Sequence, residues 1–211
     1  MATHLADLTT ENLSLLLNGL PLLSRAFWGP SDDWCEEMHR AATTGELKEM
    51  GKLADGNDTA HAMIAYMKAF RDGKQACETL EESYVKLFIS DKGGIAASLH
   101  HSAYESEGGR LMGRPAEMME SRLKTSGLAL PGEGFVPADH LAVEVEYLTL
   151  LLEGAFGDGS EDLLTTARDF ARTELRPWLE KLTNRLETKS DCPFYPATAY
   201  LLLAMVSLIA D

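Results

Sequence analysis

An all-α protein is the fold class this sequence predicts, and three observations predict it. Apolar residues recur three and four apart through nearly every segment, which is the period of one helix face. No stretch alternates apolar and polar residues as a half-buried strand would. Gly29-Pro30, Gly73, Pro115 and Gly127 fall between the periodic runs, where they end or restart helices, and no internal repeat or low-complexity tract divides the chain. The expected architecture is a single helical domain over residues 1–211, a bundle of about 8–11 helices with a hinge before residue 137.

Each element has its own justification. Residues 10–27 carry Leu13, Leu16, Leu17, Leu20 and Leu23 at helical intervals, and Pro21 among them predicts a kink. Gly29 and Pro30 end this helix. Ser31 or Asp32 can accept backbone N–H bonds to begin a short one through Trp34, Met38 and Ala41. Residues 43–57 are mixed and predict a broken helix. Asp58 opens a helix that turns Ala62, Tyr66, Met67 and Phe70 to the core and stops around Gly73. The next, over residues 74–90, aligns Ala76, Leu80, Tyr84, Leu87 and Phe88 on one face.

Between Asp91 and Gly113 the periodicity is lost among five glycines and the adjacent pair His100 and His101, which predicts a long loop. Pro115 restarts a helix through Met118, Met119 and Leu123 that Gly127 terminates. Residues 128–136 read as a flexible connector. A central helix follows over 137–153, with Pro137 in its first turn and Asp139 at the positive end of its dipole. Leu141, Val145, Leu148 and Leu152 recur at helical spacing and Val143, Leu150 and Leu151 add apolar residues on other faces, so protein must cover most of this helix. Asp139, His140, Glu144 and Glu146 are its polar exceptions, with His140 and Glu144 on one side. Ser160 caps a long helix through Leu164, Ala167, Ala171, Leu175, Trp178, Leu182 and Leu186, which Pro177 bends by removing the bond to the Thr173 carbonyl. A last apolar helix covers residues 196–209.

Composition narrows the function. The formal net charge of −14 repels phosphate backbones and anionic lipid, which sets aside nucleic acid and membrane surfaces and favours a basic peptide. No run reaches the roughly 20 apolar residues of a membrane span. The first residues show no export signal, so a cytoplasmic location is expected. Cys35, Cys77 and Cys192 lack metal-type spacing and read as free thiols.

The search for chemistry is mostly negative. There is no phosphate-binding glycine loop, no nucleophile elbow, no HExxH and no paired CxxC. Gly108, Gly109, Gly113 and Arg114 are too loosely spaced for a phosphate cradle. His140 and Glu144 have metal-ligand spacing on a helix but lack an identifiable third ligand, and capping is the alternative for Asp139 and His140. His100 and His101 read as a solvated pair, and Trp34 and Trp178 as core anchors. On spacing alone Tyr84, Leu87 and Phe88 are core residues or the lining of a groove.

Two motifs and a weaker third carry a resemblance. The Asp139-His140 pair leading into a Leu-rich helix, and Tyr84-x-x-Leu87-Phe88 followed by Ser102-x-Tyr104, resemble signatures of the TorD/DmsD/NarJ family of redox enzyme maturation chaperones. Phe170 through Trp178 with Pro193-Phe194-Tyr195 resembles the family's ending, except that Glu174 stands where the family has histidine, so that histidine's role does not carry over. The resemblance spans roughly residues 80–205. It implies a non-catalytic cytoplasmic chaperone that binds the twin-arginine signal peptide and apo form of a molybdopterin oxidoreductase precursor and assists cofactor insertion before export. It also implies a signal-binding surface drawn from Tyr84, Leu87, Phe88, Ser102, Tyr104, Asp139, His140 and Glu144, with Glu146 adding charge. No cofactor of its own is expected, although the family is linked with weak guanine-nucleotide or molybdopterin binding. A monomer is expected, with a domain-swapped dimer reachable through the connector. The rival readings are an all-α metal-dependent enzyme using His140 and Glu144 with His100 or His101, and a helical interaction module without signal specificity.

Overall fold

The computed structural model describes residues 5, 8–89, 94–105, 111–128 and 137–211, and among these it contains helices and no strand. The first helix, α1 (Thr10–Ser24), is capped by the Thr9 hydroxyl and keeps Pro21 inside it before tightening into a 3₁₀ turn at Arg25–Phe27. Ser31 caps α2 (Asp32–Thr44), and Gly45, with φ of 95°, separates it from α3 (Glu46–Leu53). The mixed stretch 43–57 thus holds a regular helix whose break falls at a left-handed glycine. Then come α4 (Asn57–Lys68) and α5 (Gly73–Tyr84), the latter capped by Asp72. Instead of continuing as α-helix, residues 85–89 widen into a π turn.

The stretch expected to be a long loop contains a short helix, α6 (Ser102–Glu105), and is tied to the chain by an antiparallel bridge between His100 and His140. Pro115 stands in the first turn of α7 (Arg114–Thr125), where Gly127 (φ 70°) lets the Leu128 N–H close on the Leu123 carbonyl at 2.8 Å. Of the connector and hinge expected over 128–137, residues 129–136 lie outside the described residues.

The central helix, α8 (Leu141–Asp158), starts four residues later than expected. Residues 137–140 form a turn, because His140 takes extended backbone as the N-cap and pairs with the incoming segment. Ser160 caps the next helix as expected, and helical backbone runs from α9 (Glu161–Phe170) to α10 (Arg176–Lys189) through a π turn at Ala171–Leu175. The turn lies just ahead of Pro177 and shifts the bonding register there, with the Arg176 N–H donating to the Ala171 carbonyl. The last helix is α11 (Phe194–Ala210).

The core sits between α8 and α11 and the helices around them. α8 packs on α1 and α9, and α11 packs on α10, α4 and α1. Trp34 and Trp178 are buried as expected, and Phe27, Phe194 and Tyr195 join them. The Trp34 indole donates to the Leu22 carbonyl at 2.9 Å and the Tyr195 hydroxyl to that of Leu80 at 3.0 Å, so neither buries an unpaired polar atom. The reading of three free thiols is corrected: α2 packs on α5 so that Cys35 and Cys77, with Cα atoms 5.6 Å apart, form a disulfide, leaving Cys192 free and buried. Among the described residues no helix is long and apolar enough to cross a membrane.

Candidate functional site

The polar residues at the start of α8 are turned inward. Asp139 is fully buried, and its Oδ2 accepts from the Ser102 N–H at 2.8 Å and from the Ser102 hydroxyl. That hydroxyl also accepts from the Gly113 N–H at 3.0 Å, so one side chain ties residue 113 and the start of α6 to the turn before α8. Two backbone bonds complete the seam: His101 N–H to the Asp139 carbonyl at 3.0 Å, and Leu141 N–H to the Leu99 carbonyl at 2.9 Å.

His140 and Glu144 leave this seam in different directions. The His140 Nδ1 accepts from the Ala142 N–H at 3.2 Å, capping α8, while its ring stacks on Trp28 with centroids 4.5 Å apart. Burial, reinforced by the nearby His100, pushes the His140 imidazole from 6.5 down to about 3, so it stands neutral as an acceptor must. Glu144 is buried beneath His101, whose Nδ1 lies 3.1 Å from its Oε1, and its Oε2 accepts from the Trp178 indole at 2.7 Å. Burial raises its carboxyl, against the opposing pull of these two partners. His101 in turn stacks on Trp178.

This arrangement revises two expectations. His100 and His101 are not a solvated pair: His101 is buried, and His100 Nε2 is buried without a hydrogen-bond partner, as is Asp139 Oδ1. The His140 and Glu144 donor atoms do not converge, since one caps a helix and the other bridges His101 and Trp178. Among the described residues no group of three His, Cys, Asp or Glu side chains could hold a metal ion, so the geometry does not assemble the ligand set of the enzyme reading.

The other candidate residues pack close by. Phe88 lies edge-on to Phe27 and Tyr195, and Tyr84 donates its hydroxyl to the Phe27 carbonyl at 3.1 Å. The Leu87 carbonyl accepts from the Ala97 N–H at 2.9 Å, and the half-buried Tyr104 donates to the Ser98 carbonyl at 2.8 Å. Leu87, Ser102, Tyr104, Asp139, His140 and Glu144 thus tie the segment 95–104 to the π turn at 85–89, to α8 and to α10, while Tyr84 and Phe88 pack against Phe27 and Tyr195. Glu174, at the departing position, pairs with Arg122 at 3.2 Å.

The open surface adjoining this cluster contains a residue that sequence reasoning did not single out. Trp28 is 42% exposed, and with Glu146, Leu150 and Glu153 it lines a groove of about 330 Å³ between the end of α1 and α8. A tryptophan just ahead of a Gly-Pro break was the available signal, because a ring at a helix end has fewer neighbours to cover it.

The fold and site are those of a helical bundle whose polar cluster is closed upon itself beside an open acidic groove. Comparison with known proteins adds the family. Residues 51–184 match the family model described as nitrate reductase delta subunit, and the chain belongs to that family. It is 27% identical over 183 residues to the chaperone protein TorD of Vibrio parahaemolyticus, covering 84% of both chains. It is 28% identical over 155 residues to that of Photobacterium profundum, covering 68% of this chain and 71% of the relative. A solved structure from Archaeoglobus fulgidus, assigned to redox enzyme maturation, superposes with a TM-score of 0.50 at 21% identity over 92% of this chain and 93% of its own, which supports the helical fold. The relatives are named chaperones, which groups this chain with chaperones rather than with enzymes.

Proposed function

We propose that this chain is a cytoplasmic chaperone that binds the twin-arginine signal peptide and apo form of a molybdopterin oxidoreductase precursor and assists cofactor insertion before export. The observation that carries the reading is family membership over residues 51–184. Physical chemistry supports it. Such a signal joins two adjacent cations to an apolar stretch, and the chain offers a net charge of −14 with partly exposed apolar side chains set among carboxylates. In this reading the buried cluster around Asp139, Ser102, His140 and Glu144 shapes the binding surface from behind, and Tyr84, Leu87, Phe88 and Tyr104 support it.

Calorimetry with a peptide carrying two adjacent arginines and an apolar stretch tests the proposal. The expected result is binding that weakens as salt is raised, and that weakens about tenfold or more when both arginines become glutamine. Equal affinity for the two peptides would leave a helical interaction module without signal specificity.

A further inference from the structure

We infer that the groove between the end of α1 and α8 is the seat of the basic, apolar peptide assigned above, an assignment on which this inference rests. Leu150, 40% exposed, is the one large apolar side chain of α8 left open to solvent, and it forms an apolar floor. Glu146 and Glu153 flank it on the same stripe of α8, seven residues and therefore about 10.5 Å apart along the axis. Trp28 forms the wall, using one ring face on His140 and leaving the remainder to the groove.

The charges decide between this groove and its larger rival. A hollow of about 720 Å³ between α1 and α3 also carries acidic residues, but there Glu46 is paired with Arg40 and Glu49 with Lys52, which leaves Glu11 as its one carboxylate without an ion-pair partner among the described residues. In the Trp28 groove the one cation, Arg25, is already bound to Glu37 at 2.7 Å, while Glu146 and Glu153 have no ion-pair partner among the described residues. Two uncommitted carboxylates at the ends of an apolar floor suit two cations with an apolar neighbour. Adjacent arginines in an extended strand point to opposite sides, so their long side chains can straddle the two glutamates. The following apolar residue then covers Leu150 against Trp28, whose face also accepts a guanidinium. His140 enters this site as a positioning residue whose ring holds that of Trp28.

The test measures binding of the arginine peptide to the parent protein, to the double variant Glu146→Gln with Glu153→Gln, and to the control Glu11→Gln with Glu49→Gln, which removes the same charge from the rival hollow. Melting curves confirm that each is folded. The expected result is about a tenfold or greater loss for the groove variant and less than about twofold for the control. Trp28→Ala should also weaken binding, with little change in the salt dependence. Equal losses in both double variants would assign the effect to overall charge and overturn the groove, as would no loss in either. Absence of binding by the parent protein would instead overturn the signal-binding reading, and the inference with it. A peptide-free dimer that Leu150→Glu separates would give the groove to a second copy of this chain and overturn the proposal.

Discussion

His140 is neutral because it is buried, and this makes its contribution pH-dependent. The imidazole titrates near 6.5 when solvated and at about 3 in the fold, so between those values the unfolded chain binds the proton that the folded chain refuses. The stability associated with a neutral His140 is therefore complete above pH 6.5 and is lost as pH falls toward 3. His100, also depressed by burial, adds in the same direction. Urea unfolding of the parent and of His140→Asn, whose amide can still cap α8, should show a stability difference that shrinks as pH falls from 7.5 to 4.5. A constant difference would assign the effect to lost packing alone. Phe88 gives a second residue-scale expectation. It is 5% exposed and touches three aromatic rings, so Phe88→Ala should destabilise the fold by about 3 to 5 kcal/mol. A loss under about 1 kcal/mol with weakened peptide binding would show that its ring lines the binding surface.

At the scale of elements, α2 and α5 approach so closely that Gly73 is required by space. A Cβ there would meet backbone atoms of Cys35 and Glu36 at 2.5 Å, and backbone cannot yield as the end of a flexible side chain can. Gly73→Ala should therefore destabilise the protein by about 3 kcal/mol, read from denaturant unfolding, and slow oxidation of the Cys35–Cys77 pair because the two helices are forced apart. An unchanged midpoint would mean that α5 slides along α2 at little cost. The same crowding explains why two cysteines 42 residues apart in sequence face one another.

On the scale of the whole molecule, α8 packs on α1 as well as on α9, and α11 on α4 and α1 as well as on α10, so the parts of the chain before and after the connector complete one core. A swapped dimer, in which residues 137–211 of one chain pack on the first part of another, would keep these contacts and change only the connector. Refolding at high protein concentration should then give monomer and dimer peaks that interconvert slowly after dilution, followed by light scattering. A monomer peak alone after such refolding would rule the exchange out.

The sequence by itself determined the all-α class, most helix positions and the family resemblance, because apolar period, capping residues and proline placement act within a few residues of one another. Ser31, Ser160 and Gly127 act as their local chemistry predicts. The tertiary structure alone decided where the polar residues of α8 point. Asp139, His140 and Glu144 share a helix start, yet their partners Ser102, Trp28, His101 and Trp178 come from distant parts of the chain, and no local rule encodes those meetings. It decided the delayed start of α8 for the same reason, since pairing with residues 99–101 holds His140 extended after the turn that begins at Pro137. It also decided the Cys35–Cys77 pairing, which depends on how two helices cross, and the open groove at Trp28, which exists only where packing leaves a ring half covered.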